Sequence, residues 1–225
     1  MAKVQSINVA LPTQVILSNG KPMRSAIIKK PVVGMIYMDE KGLLGDGFAD
    51  KVHHGGSDKA ICVYSIDHFP FWEKELGRKL SPGAFGENLS ISNLDETSAH
   101  IGDIFRIGDA EVQVTQPRQP CHKLNKIFRY QAMACKVQTT GYSGFYMRVL
   151  KPGWVEPGMM FELIYADPGK FSIESAHYLL HNGKNEHETI KHILGVEALS
   201  DNWRSKFRKR LEDPKAQVSL DQMEE

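Results

Sequence analysis

The stretch Thr115-Gln116-Pro117-Arg118-Gln119-Pro120-Cys121-His122-Lys123-Leu124 sets one thiol among three side chains that can carry positive charge, Arg118, His122 and Lys123. Nearby cations lower a thiol's pKa and favour the thiolate, the form that attacks and binds metals. A cysteine is also a small hydrophobe that packs well in a core, so residue type alone leaves both roles open. Pro117 and Pro120 fix φ and remove two backbone donors. Sheet pairing is expected to stop here and leave a stiff loop at a strand end, where rigid scaffolds tend to hold chemistry.

Three further stretches carry polar or glycine-rich patterns. In Lys51-Val52-His53-His54-Gly55-Gly56-Ser57-Asp58-Lys59-Ala60 the paired glycines let successive backbone N–H groups converge on an anion, with Lys51, Lys59 and a histidine adding charge. It lacks the GK[ST] of a phosphate loop and also reads as a tight turn before a strand. His53 and His54 point to opposite faces of an extended backbone, so they are poor joint chelators. In Pro82-Gly83-Ala84-Phe85-Gly86-Glu87-Asn88-Leu89 the glycines permit close approach to a ligand and Asn88 offers a donor and an acceptor; a self-bonded turn fits equally. Thr140-Gly141-Tyr142-Ser143-Gly144-Phe145-Tyr146 reads either as a substrate-facing loop or as aromatic packing at a barrel corner.

The elements that must position these stretches are mostly strands. The segments 4–11, 25–33, 34–38, 60–65 and 160–164 are strand-length runs, several rich in β-branched and aromatic residues. Residues 104–107 and 111–115 flank Gly108-Asp109, a two-residue hairpin turn. Many short strands with frequent turns predict a mainly β barrel or sandwich rather than a doubly wound sheet. Asp67 is the expected cap of a helix ending at Gly77, and residues 125–137 can hold another. After Asp167-Pro168-Gly169 three helical patterns follow, capped by Ser172, by Asn185 with Glu188, and by Ser200. In the last, Trp203, Phe207 and Leu211 share one face. Arg204, Lys206, Arg208, Lys209 and Arg210 are expected on a solvated opposite face, with partner contact as the alternative. The tail after Pro214 is expected to fray.

Composition sets outer limits. The chain has 225 residues, 41% apolar and 24% charged, ordinary for a soluble globular protein. Its three cysteines, Cys62, Cys121 and Cys135, show no CxxC spacing, against a disulfide scaffold or a Cys-rich zinc site. The N-terminus has no apolar signal region, and no run approaches a membrane span, so a cytoplasmic protein is expected. A net charge of +1 gives no bulk pull toward nucleic acid or membrane.

Taken together the motifs resemble the MOSC domain family (the C-terminal domain of molybdenum cofactor sulfurases and its stand-alone relatives), and within it the YiiM-like bacterial proteins. The matching residues are Lys51 through Lys59, Pro82 through Leu89, Ile101-Gly102-Asp103, and Gln116-Pro117-Arg118 through Leu124. The likeness spans about residues 42–163, and residues 171–211 resemble the small three-helix domain that follows MOSC in YiiM-like members. The resemblance implies a MOSC-type β-barrel over 1–167, then a C-terminal three-helix domain and tail over 168–225. It implies a molybdenum cofactor, a pterin whose dithiolene holds the metal, with Cys121 as a soft thiolate ligand to molybdenum. Lys51, His53, Gly55, Gly56, Asp58, Lys59, Gly86, Glu87, Asn88, Arg118 and Lys123 would bind the cofactor, and His54 would deliver a proton.

The implied activity is reduction of N-hydroxylated compounds, including base analogues such as 6-N-hydroxylaminopurine, to the amine. Electrons would come from a separate flavin or iron–sulfur reductase, since this chain carries a motif for neither. A carrier of sulfur or cofactor on Cys121 is the alternative, and an adaptor working through the basic C-terminal helix is the third. A monomer or homodimer is expected, without direct nucleic-acid or membrane contact. Two positions depart from the family pattern. Ser57 stands where many relatives have Pro, and Tyr142 where a basic residue often follows Thr-Gly.

Overall fold

The structure, a computed structural model, describes residues 1–16, 22–47, 56–121, 123–182 and 186–212. Its largest sheet runs in the order β13 (Glu162–Tyr165), β9 (Ile104–Ile107), β10 (Ala110–Pro117), β11 (Phe145–Lys151), β7 (Ile61–Ser65), β8 (Leu89–Ser92), β1 (Lys3–Val9), β4 (Lys30–Pro31). Among the described strands only β7 and β8 pair in parallel; their connection carries α1 (Phe69–Leu76) and the loop 82–88. The two ends of the sheet meet. Val4 N donates to Met159 O at 2.9 Å, Gly158 N to Val4 O at 2.8 Å and Phe161 N to Ala2 O at 3.0 Å. The strands thus curl into a half-barrel, as the short-strand pattern predicts. Two small sheets lie beside it: β2 (Thr13–Ile16) with β3 (Pro22–Ser25), and β5 (Ile36–Asp39) between β6 (Gly42–Leu43) and β12 (Gly153–Val155).

Alternation on these strands fills the core with Ile7, Val63, Leu89, Ile91, Val112, Val114, Phe145 and Met147. The C-terminal helices α4 (Ile173–His181), α5 (His187–Leu194) and α6 (Asp201–Glu212) do not form a separate core. Ile173, Leu180, Ile193, Trp203 and Phe207 belong to the same buried cluster as the sheet. Each such side chain contributes about 1.5–3 kcal/mol of burial, so the helical unit is fastened to the barrel by its own hydrophobic face. The junction is pinned as well. Asp103 of the Ile101-Gly102-Asp103 motif accepts Asp167 N at 2.9 Å, and a Cβ on Gly102 would lie 2.2 Å from the Asp167 carboxylate.

Several local expectations are corrected. Residues 25–33 do not form one strand; the chain leaves β3 at Ser25, bends through 26–29 and pairs again only at Lys30–Pro31. Its β-branched residues suit that bend because Ile27 is held against Gly86. Leu11 lies outside β1 and is 62% exposed. Asp67 does not cap α1: Ser65 Oγ accepts Asp67 N in a short 3₁₀ turn, and Asp67 accepts Asn93 N at 2.7 Å instead. Gly77 ends α1 in the left-handed region, as expected. Residues 125–137 divide into α2 (Lys123–Phe128) and α3 (Met133–Thr140), broken at Arg129 with φ 54; Asn125 Oδ1 accepts Ala134 N at the start of the second. The hairpin at Gly108-Asp109 and the caps Ser172 and Ser200 form as predicted. Asn185 and the tail after Pro214 lie outside the described residues, and the N-cap position of α5 is Glu186.

Candidate functional site

β10 stops pairing at Pro117, opposite Phe145, and the chain leaves the sheet as the loop 118–121 before α2. That loop forms one wall of a pocket. Ser25, Ala26, Ile27 and Lys29 form a second wall, and Lys59, Cys62, Gly86, Asn88, Tyr146 and Lys123 complete it with Arg118, Gln119 and Cys121. The cavity has a volume of about 100 Å³ and is partly open to solvent.

The walls are fixed from behind. Glu96 accepts Gly144 N at 2.6 Å and meets His68 Nε2 at 2.6 Å, while Gly144 O accepts Arg118 N at 2.9 Å. A Cβ on Gly144 would sit 2.5 Å from Val63 O, so only glycine allows this approach. Asp46 accepts Lys29 Nζ at 2.5 Å, Ala10 N at 2.8 Å and Asn88 Nδ2 at 2.7 Å. Asn88 Oδ1 in turn accepts Cys62 N at 3.0 Å. A Cβ on Gly86, whose φ is 76, would lie 2.7 Å from Ile27 Cγ1, so glycine permits the two walls to meet.

The residues expected to bind a cofactor therefore divide. Lys59, Gly86, Asn88, Arg118, Lys123 and Cys121 converge on the pocket. Glu87 is fully buried and occupied within its own loop, accepting Gly83 N at 2.7 Å, Phe85 N at 3.0 Å and Ser90 Oγ at 2.6 Å. Asp58 pairs with Arg148 at 2.9 Å and does not line the cavity. Gly56 opens the turn Ser57–Lys59 with φ 104 and also lies off the wall, so the Ser57 departure sits in a formed 3₁₀ turn. Lys51, His53, His54, Gly55 and His122 lie outside the described residues. Tyr142 stacks on His68 at 3.8 Å between ring centroids, which is packing rather than substrate contact. Tyr146, four residues on, is the member of that stretch that reaches the pocket.

Electrostatics favour anionic or soft ligands. Burial works against the Arg118 charge, but its surroundings more than compensate and hold it as a guanidinium. Burial pushes the Cys62 thiol up despite Arg118 beside it, so it stays protonated. Burial likewise raises the Tyr146 hydroxyl, leaving it a neutral hydrogen-bond donor. Among the described residues no group of three or more His, Cys, Asp or Glu is placed to hold a metal ion.

Sequence reasoning did not reach Lys29 or Cys62 as pocket residues, and Gln119 and Tyr146 lay in marked stretches without being singled out. Lys29 sits in a run that reads as a strand, and Cys62 in a strand that reads as core; Ile61, Cys62 and Val63 are indeed all buried. Period-2 alternation fails for a strand covered on both faces. The position of Gln119 two residues before Cys121 was the available signal for it.

Comparison with known proteins fits this architecture. Residues 50–162 match the MOSC domain and residues 172–213 the YiiM-like, 3-alpha helix domain. The chain is 44% identical over 207 residues to the uncharacterized protein YflK of Bacillus subtilis (strain 168), covering 92% of this chain and 93% of YflK. It is 35% identical over 158 residues to a reductase of Gibberella moniliformis, covering 68% of this chain but 28% of that protein. The crystal structure of YiiM from Geobacillus stearothermophilus superposes with a TM-score of 0.81 at 36% identity, covering 94% of this chain and 100% of that one. No helix among the described residues is long and apolar enough to cross a membrane. With a MOSC match, a YiiM-like helical unit after it, and YflK and the Geobacillus YiiM alike over nearly their whole length, the chain belongs to the MOSC family, in its YiiM-like branch.

Proposed function

We propose that the pocket binds a molybdenum cofactor and that the protein reduces N-hydroxylated compounds to amines with electrons from a separate flavin or iron–sulfur reductase. The observation that carries this reading is that Cys121, the less buried of the two pocket cysteines, lines one cavity together with Lys29, Lys59, Arg118 and Lys123. The residues present fit such a group. Thiolate sulfur is a soft ligand suited to molybdenum. The cations answer the charge of a phosphate-bearing pterin. When bound, the cofactor supplies the two-electron redox chemistry that side chains alone lack.

The chain's own residues do the rest. Arg118, held by Gly144, brings its guanidinium to the same pocket wall as Cys121. Tyr146 stays protonated and can donate a hydrogen bond to an N-hydroxyl oxygen. Asn88, with its carbonyl oxygen committed to Cys62 N, fixes the floor. Reduction of an N–OH group consumes two electrons and two protons and releases water; His54 is the proposed proton donor. Membership of the family, together with the reductase among its relatives, supports a reductive role over the carrier alternative.

The test is expression in a host that makes the cofactor, with molybdenum per chain and turnover of 6-N-hydroxylaminopurine measured under a supplied reductant. Cys121→Ala is expected to lose both. Full metal and full turnover in that variant refute the reading, and stoichiometric sulfur transfer without turnover would favour the carrier.

A further inference from the structure

The basic face of α6 is not solvated as its sequence suggests. Arg204 donates to the carbonyls of Leu194 and Val196 and so closes the end of α5. Arg210 donates to Leu180 O, and the Lys206 ammonium donates to Gln119 Oε1. Of that basic run Arg208 and Lys209 stay exposed. A second basic surface lies beside the pocket.

It is built on α2. Leu124 and Phe128, four residues apart, are buried and turn the helix inward. Lys123 and Lys126, three apart, share the outer flank, and both are partly exposed. Lys123 also lines the pocket, so this flank begins at the pocket wall. Arg129 ends the helix with φ 54 and is exposed. Arg78, exposed just after α1, lays its guanidinium 5.7 Å from the centre of the Phe128 ring and brings a fourth cation to the same side.

The ridge has no counter-charge of its own. None of these four residues has an ion-pair partner among the described residues. Between Glu111 and Glu156 the chain carries seven Lys or Arg and no Asp or Glu, so neither α2 nor α3 supplies a carboxylate. Those of α1 are engaged: Glu73 joins Lys79 at 2.7 Å and accepts Leu80 N at 2.9 Å, and Glu75 pairs with Lys136 and accepts Tyr130 Oη at 2.9 Å. A one-sign surface beside a cavity steers an oppositely charged partner to it.

Electron tunnelling falls steeply with distance, so a protein that feeds electrons to this pocket must seat next to it. We propose that the ridge of Lys123, Lys126, Arg129 and Arg78 is the docking face for an acidic flavin or iron–sulfur carrier protein. The proposal rests on the reductase reading above and adds the surface where electrons enter. Each turnover takes two electrons, from two one-electron iron–sulfur carriers or one fully reduced flavin. With two protons from solvent they convert R–NHOH to R–NH₂ and water. Encounters of this kind are small and charge-steered, which lets the spent carrier leave. Nucleic acid is also anionic, but four cations on a chain of net charge +1 fall short of the long basic stripe it needs.

The test uses the full chain with two probes, an acidic two-iron ferredoxin and an acidic flavodoxin. Calorimetry is expected to show micromolar binding of at least one at low salt. That binding should weaken at least about tenfold as salt rises from about 0.05 to about 0.3 M. Lys126→Glu combined with Arg129→Glu should weaken it about tenfold or more. In protein made in a cofactor-synthesising host, the same variant should lose carrier-driven turnover of 6-N-hydroxylaminopurine in proportion. Dithionite-driven turnover, molybdenum content and melting temperature should stay at wild type. Arg78→Glu alone should weaken binding about threefold, which keeps the proposal testable if the double variant misfolds. Lys3→Glu, an exposed charge on β1, should stay within about 1.5-fold. No binding of either carrier, binding indifferent to salt, or unchanged affinity in the ridge variants overturns the proposal, as does duplex DNA binding to the ridge more tightly than the carriers. The binding arm needs no cofactor and the dithionite arm needs no carrier, so failure of the cofactor reading and failure of the docking face are distinguishable.

Discussion

Replacing Glu87 by Gln tests whether the loop 83–90 is clamped by a carboxylate or only occupied by one. In the structure Oε1 accepts Gly83 N at 2.7 Å and Ser90 Oγ at 2.6 Å, and Oε2 accepts Phe85 N at 3.0 Å. An amide oxygen can replace Oε1, but the amide NH₂ must then face Phe85 N–H, donor against donor. The unpaired buried N–H costs about 1–3 kcal/mol, and turning two charge-assisted bonds into neutral ones costs about 1 kcal/mol more. Against this, Gln removes a fully buried charge whose desolvation already pushes the Glu87 carboxyl up, which returns about 1 kcal/mol. The net loss is about 2 kcal/mol at pH 7, or about 4–8 °C in a domain of this size. Because the folded carboxyl holds its proton at pH values where the unfolded one releases it, this residue's stabilisation is complete in acid and declines as pH rises through the folded value. The gap between wild type and variant is therefore widest in acid and narrows toward neutrality. Thermal melts of both proteins across that range measure it. A variant that melts at or above wild type at every pH shows that the loop is not held by these three bonds.

Two further outcomes follow from burial. With iodoacetamide on the folded protein, Cys135, which is exposed, should label first, Cys121 at the pocket wall more slowly, and Cys62 only after denaturation; labelling of Cys62 at the rate of Cys121, read by mass spectrometry, contradicts the geometry. His181→Leu should resist acid better than wild type. Burial, then His177, Lys206 and Arg210, bring the His181 imidazole down to about 3, so it stays neutral in the fold while the unfolded chain takes up a proton below about pH 6.5. Wild-type stability should then fall by up to about 1.4 kcal/mol per pH unit between those values on this residue's account. Urea titrations with the same acid dependence in both proteins would show that the ring is charged in the fold.

The sequence makes legible what is set by local chemistry. Pro117 ended β10 because it offers no donor to extend the ladder, Gly77 stopped α1 because it tolerates positive φ, and Ser200 capped α6 through its own hydroxyl. It also marked Cys121, Arg118, Lys59 and Lys123, which do share a pocket. What it left hidden depends on which surface packs over which. A helical period separates the Trp203–Phe207 face of α6 from its basic face, but says nothing of what lies beside the boundary between them. Lys206 precedes Phe207, so once that ring is buried in the core the neighbouring lysine is carried to the edge of the contact, where Gln119 meets it. Glu87 and Asp58 were marked for the same reason in reverse. A carboxylate beside glycines suggests a ligand site, yet both are occupied by the loops and braces that shape the wall. Charge in the sequence identifies the neighbourhood of the site, and only the packing decides which charges face the cavity and which hold it open.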